Sequence, residues 1–256
     1  MITMKETLSE AVQIMLDSIS WKKPEGITTG YPEFDNLTRG LRKGDLTLLA
    51  SLPSLGKTAF ALNIVGNLMK RTPKIPILYY SALSHTELSF RLLTILSGVR
   101  CCYDHDLQGD ESHRLSDTVS AIQDYPLFFE DSRTMDDVFF QNIASCQGKK
   151  HFGLIIMDPV SPVSLSPLKQ LAHECEVPIL ALVSTEEKNG HIPGSEIAGT
   201  VIYLNRERKA AKAGKDTPVS FVVTRNRFGL SGTCRLNFIP QTMQFRTFDN
   251  EIEENT

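Results

Sequence analysis

The stretch Ser51-Leu52-Pro53-Ser54-Leu55-Gly56-Lys57-Thr58 falls one substitution short of a phosphate-binding loop. The pattern G-x-x-x-x-G-K-[ST] wraps phosphate oxygens in backbone N–H groups and seats them at the positive N-terminus of the next helix. Its lysine reaches the β- and γ-phosphates, and its closing hydroxyl ligates Mg²⁺. Gly56, Lys57 and Thr58 stand where that chemistry needs them, and Ser51 stands in place of the first glycine. A serine there keeps its N–H and follows many of the backbone paths open to glycine. The loop is therefore expected to hold a nucleoside triphosphate through Ser51, Ser54, Leu55, Gly56, Lys57 and Thr58.

A second group completes such a site. One hundred residues after Thr58, the run "GLIIMD" ends in Asp158. An aspartate closing a buried apolar strand is placed to bind the water shell of Mg²⁺, so Thr58 and Asp158 are the expected metal ligands. The six histidines show no ligand spacing, and no zinc site is expected.

These side chains need strands and helices to hold them. "DLTLLAS" reads as a buried strand ahead of the loop, and "KTAFALNIVGNLMKR" as the helix after it. Strands "PILYYSAL", "YPLFFED", "FGLIIMD" and "VPILALVS" alternate with helices "HTELSFRLLTILSGV", "MDDVFFQNIASCQ" and "SPLKQLAHECE". That alternation predicts an α/β fold with a mostly parallel central sheet and helices on both faces. After Gly199 the pattern changes to strands only, "TVIYLNR", "PVSFVVTRN", "GTCRLNFI" and "QFRTF", expected as antiparallel hairpins. Ahead of the sheet, Leu8, Ala11, Val12, Met15, Leu16 and Ile19 form one apolar helical stripe, stopped by Pro24 and Gly26. That helix folds back on its own core or docks on a neighbouring subunit. The division expected is a linker helix over 1–22, one domain over 23–248 and a flexible acidic tail over 249–256.

Bulk composition excludes several classes. The chain has 256 residues, 41% of them hydrophobic and 22% charged, as in an ordinary globular domain. Its apolar runs are too short for a membrane span, and its start lacks a basic-then-apolar signal pattern. Five scattered cysteines without a C-x-x-C pair read as the reduced thiols of a cytoplasmic protein. A net charge of −3 gives no global attraction to nucleic acid. The local cluster Arg206, Arg208, Lys209, Lys212 and Lys215 reads first as a solvated hairpin end.

The stretches "ITTGYPEFDNLTRGLRKGDLTLLASLPSLGKTAFALNI", "SALSHTELSFRLL", "YPLFFEDS", "GLIIMD", "ECEVPILAL" and "VTRNRFGLSGTCRLNF" carry a resemblance. From Ile27 to Phe248 the chain resembles the motor domain of DnaB-type replicative helicases, a RecA-like P-loop ATPase. The helix over 4–19 resembles that family's linker helix, and the family's separate N-terminal domain is expected to be missing. The resemblance implies a homo-oligomeric, hexameric ring with ATP and Mg²⁺ held between subunits. It also implies single-stranded DNA in the pore and a replication-protein partner. "TRNRFGLSG" corresponds to the family's K-x-R-x-G stretch. Arg227 thus takes the arginine-finger position and Arg225 replaces the lysine two before it, both expected to act on a neighbour's γ-phosphate.

Three departures cut against motor activity. The family's S-L-E-M-S, whose glutamate polarises the attacking water, aligns with a stretch that puts Ala82 at the carboxylate position. The γ-phosphate-sensing glutamine of A-L-S-Q is lost in "ALVS", where Val183 and Ser184 stand. The loops that grip DNA are short, so single-stranded DNA is expected to bind weakly. Two functions stay open on the sequence. One is a helicase-like ATPase of DNA replication or of plasmid or phage maintenance. The other is a degenerate nucleotide-binding regulatory or assembly partner without helicase activity.

Overall fold

Why the phosphate loop sits where it does follows from the strands around it. The computed structural model describes residues 26–71, 73–100, 107–130, 134–206 and 216–248. The linker helix and the acidic tail expected from the sequence lie outside these residues.

Strands β1 (Leu46–Ser51), β2 (Ile77–Ser81), β3 (Leu127–Glu130), β4 (Leu154–Val160), β5 (Ile179–Ser184) and β6 (Thr200–Arg206) pair in parallel. Strands β7 (Thr217–Asn226), β8 (Gly232–Ile239) and β9 (Gln244–Thr247) follow in antiparallel hairpins. All belong to one sheet, ordered β3-β2-β4-β5-β1-β6-β7-β8-β9. β1 is buried along its whole length and β5 up to its last residue. That is why both read as unbroken apolar runs, covered on both faces by the crossover helices. β7 and β8 alternate buried and more exposed positions, the signature of strands with one face toward the core.

Around the sheet lie α1 (Pro32–Thr38), α2 (Lys57–Met69), α3 (His85–Ser97), α4 (Glu111–Ile122), α5 (Asp137–Lys150) and α6 (Leu165–Glu174). Two hydrophobic clusters cover the two faces. One contains α1, α2 and α3, and the other α5 and α6. Phe60 of α2 sits at the centre of the first. Its ring centroid lies 4.4 Å from that of Phe221, 5.3 Å from Phe34, 5.2 Å from Phe245 and 5.4 Å from Tyr31. The helix that follows the loop is thereby wedged between α1 and the antiparallel strands. Asn63, one turn on, donates to the Met243 carbonyl at 2.8 Å and accepts the Phe245 N–H at 3.0 Å.

The structure adds two helices to those expected, α1 and α4. α4 carries Leu115, Val119 and Ile122 at helical spacing, yet none of its residues is buried. The hairpin strands β6 and β7 lie inside the sheet, with β8 and β9 beyond them. Among the described residues, no helix is long and apolar enough to cross a membrane.

Candidate nucleotide site

The site begins where β1 ends. Ser51 is the last residue of that strand, directly opposite Ser184 of β5. Its backbone is ordinary; the left-handed positions of the loop are Ser54 (φ 64°) and Gly56 (φ 115°). Glycine is therefore required at 56, where an L side chain would be strained. At 51 the conformation makes no such demand. Gly56 is the N-cap of α2 and offers no side chain to cap it, so the first-turn N–H groups of this helix are free of a side-chain acceptor from the cap. A thirteen-residue helix presenting uncapped N–H groups to a loop favours anions there.

Lys57 is 8% exposed. Its amine donates to the Ser51 carbonyl at 3.2 Å, to Ser51 Oγ at 3.1 Å and to the Leu52 carbonyl at 3.5 Å. Burial pulls its pKa down, opposed by the negative charge of Asp158. Thr58 Oγ1 donates to Asp158 Oδ2 at 2.7 Å. The Tyr79 hydroxyl donates to the same oxygen at 3.3 Å. Burial raises the Asp158 carboxyl, and these two hydrogen bonds with the charges of Lys57 and Arg91 work against it. Burial, reinforced by the adjacent carboxylate, holds Tyr79 well above its usual range, so it remains a donor. One buried carboxylate and one hydroxyl, both oxygen ligands, suit a hard cation such as Mg²⁺ that keeps most of its coordination for phosphate and water.

The neighbouring strand end is bare. Ser81 pairs with Asp158, and the Ala82 N–H donates to the Asp158 carbonyl at 3.0 Å. Ala82 is thus next to Asp158 and exposed, with a side chain that can neither donate nor accept a hydrogen bond. Glu87 is committed elsewhere: its carboxylate accepts from the Ser84 N–H at 3.2 Å and the Ser84 hydroxyl at 3.1 Å, closing a capping box on α3. Glu130 pairs with Tyr80 and lines a cleft of about 360 Å³ with Phe128 and Phe139, on the sheet face opposite α2. At the end of β5, Ser184 is exposed beside Ser51, offering a short hydroxyl where a longer amide would reach further.

Arg225 and Arg227 are brought together, away from the loop. Arg225 pairs with Val201, and the Arg227 N–H donates to the Gly199 carbonyl at 2.9 Å. Thr200, the next residue, pairs with Thr47 near the start of β1. Four residues of strand, roughly 13 Å, separate that level from Ser51. Both arginines therefore lie at the opposite end of the sheet from their own loop. The exposed Arg227 guanidinium donates to the Glu196 carbonyl at 2.8 Å, and the Arg225 Nε is buried without a hydrogen-bond partner.

The sequence reading placed Arg206 among solvated hairpin cations. The structure sets it at the end of β6, with Nη2 donating to the Ser54 carbonyl at 3.4 Å and its guanidinium 4.7 Å from the Phe238 ring centroid. Its Nε is buried and unpartnered, and burial lowers its pKa. The signal available was topological: the strand beside β1 ends next to the loop, so its last side chain faces the same ligand. The rest of that basic cluster lies outside the described residues.

A sheet with the order β3-β2-β4-β5-β1-β6, a loop at the carboxyl end of β1 and the Thr58–Asp158 pair can be set beside known proteins. Residues 26–247 match the DnaB-like helicase C terminal domain. The chain belongs to that family. It is 26% identical over 266 residues to the replicative DNA helicase DnaB of Geobacillus stearothermophilus, covering 90% of this chain and 58% of the relative. The counterpart from Treponema pallidum is 30% identical over 244 residues, with 83% and 54% covered. The chain thus spans just over half the length of these curated relatives. Among solved structures, the ATPase domain of G40P superposes with a TM-score of 0.80 at 19% identity, covering 94% of this chain and 99% of that one. A DnaB-like replicative helicase described with its interactions with primase gives 0.81 at 19%, with 97% and 68% covered. These likenesses establish the RecA-like fold of the domain.

Proposed function

We propose that this DnaB-like domain binds ATP with Mg²⁺ at residues 51–58 and turns it over slowly. In this reading the bound nucleotide serves ring assembly and regulation in DNA replication, or in plasmid or phage maintenance, rather than unwinding. The observation that carries the reading is the contrast at adjoining strand ends, with Lys57, Thr58 and Asp158 converging while Ala82 stands beside them without a carboxylate. Lys57 and the α2 N-terminus bind phosphate oxygens, Thr58 and Asp158 hold the cation, and Arg206 covers the loop from β6. When bound, Mg²⁺ neutralises phosphate charge. Losing the group that activates water removes about two to four orders of magnitude of rate.

In this reading ATP is held between subunits of a ring. Arg225 and Arg227, at the far end of the sheet, are suited to a neighbour's nucleotide and cannot reach their own. That pair favours a second reading, a motor in which a neighbour supplies much of the catalysis. Single-stranded DNA and a replication protein are its expected partners.

One experiment separates the two. ATP and a non-hydrolysable analogue are titrated with Mg²⁺, and phosphate release is followed with and without single-stranded DNA, with Lys57→Ala as control. Tight binding with little turnover supports the first reading. DNA-stimulated turnover lost in Lys57→Ala supports the motor. Absence of binding overturns both.

A further inference from the structure

Residue 51 departs from the phosphate-loop pattern, yet its backbone conformation is one any residue adopts. The difference between serine and glycine at this position is therefore the hydroxyl, and the structure shows what the hydroxyl does. Ser51 Oγ donates to the Leu52 carbonyl at 2.7 Å, which turns its lone pairs toward the Lys57 amine, and it accepts from that amine at 3.1 Å. The Ser51 carbonyl accepts from the same amine at 3.2 Å and is itself fixed by the Thr185 N–H at 2.9 Å. An ammonium has three hydrogens. Ser51 O, Ser51 Oγ and the more distant Leu52 carbonyl occupy all three, and residue 51 supplies the two closer acceptors.

We propose that the Ser51 hydroxyl is a built-in competitor for phosphate at Lys57, so that residue 51 sets the affinity of the loop for nucleotide. The inference rests on the nucleotide-binding reading above and deepens it. A phosphate oxygen can engage Lys57 only by drawing one N–H away from an oxygen the loop already provides. Of the three, Ser51 Oγ is the side-chain acceptor, removable without altering the backbone. A buried ammonium is costly to leave short of partners, so a loop lacking that hydroxyl has more to gain from an incoming anion. A phosphate carries full charge and the hydroxyl none, so the competitor weakens binding without preventing it.

The test is a nucleotide titration on the full chain with Ser51→Ala, Ser51→Gly and Ser51→Thr. Alanine keeps the strand backbone and removes only the hydroxyl; threonine restores it. Ser51→Ala and Ser51→Gly are expected to bind ATP about tenfold more tightly than the parent, the scale of one hydrogen bond to a charged group. Ser51→Thr is expected to stay close to the parent. Inorganic tripolyphosphate, used as a competing probe, is expected to gain the same factor, because the effect lies at the phosphates. In a Lys57→Ala background the gain from Ser51→Ala is expected to vanish, which a merely structural effect of the hydroxyl would not produce. Parent binding that Ser51→Ala leaves equal or weaker overturns the inference alone, as does a gain that survives without Lys57. Failure of the parent and every variant to bind ATP or tripolyphosphate overturns the nucleotide-binding reading itself.

Discussion

The carboxyl ends of β1 and β4 and those of β2 and β5 lie side by side in one sheet, yet they are equipped differently. At the first pair, Lys57 is hydrogen-bonded to Ser51 and Thr58 to Asp158. At the second, Ala82 and Ser184 present a methyl group and a short hydroxyl beside the same centre. Holding a phosphate is shared among backbone N–H groups, a helix end and several side chains. Activating water depends on one long side chain at one position. A function of the first kind is the harder to lose by a single substitution.

The sharpest way to break this contrast is Ala82→Glu. Restoring a carboxylate beside Asp158 is expected to raise phosphate release by about two to four orders of magnitude, read in single-turnover assays. An unchanged rate would move the defect to Ser184 or to the neighbouring subunit. Lys57→Ala attacks the intact side and is expected to weaken ATP about ten- to a hundredfold by calorimetry, the loss of a charge-assisted contact.

Asp158→Asn tests what the intact side costs. Burial raises the Asp158 carboxyl, so the fold favours its protonated form. That contribution is fully present below the ordinary aspartate range and is lost as pH rises through the raised value. The amide keeps acceptors for Thr58 and Tyr79 without the charge. The variant is expected to melt a few degrees higher at neutral pH, with a flatter acid-side profile, while losing Mg²⁺-dependent ATP binding. A lower melting temperature at neutral pH would show that the ionised carboxylate is stabilising. Tyr79→Phe removes one donor and is expected to cost about 1 kcal/mol in denaturant unfolding. The smallest effect belongs to Arg227→Ala. At the far end of the sheet, it is expected to leave the ATP affinity of the isolated chain within about twofold.

Parallel strands buried on both faces announce themselves as apolar runs, which is why β1, β4 and β5 could be read directly, and with them the places of Lys57, Thr58 and Asp158 near strand ends. Helix α4 was passed over although Leu115, Val119 and Ile122 keep helical spacing, because those three stand in an otherwise polar segment that buries no residue. Arg206 was hidden differently. Its charge grouped it with the lysines that follow, whereas its position is fixed by a strand pairing between β6 and β1 that local pattern does not encode. The distance of Arg225 and Arg227 from their own loop is likewise a matter of register, not of motif.

Asn63 ties the helix after the loop to Met243 and Phe245, almost two hundred positions later in a chain of 256. During synthesis the loop leaves the ribosome well before β9, the strand that braces its helix. A nascent chain thus carries Lys57 and Thr58 long before their helix is braced. Firm seating of that helix therefore waits for the hairpin of β8 and β9, so order in the loop reports closure of the sheet rather than formation of the loop alone.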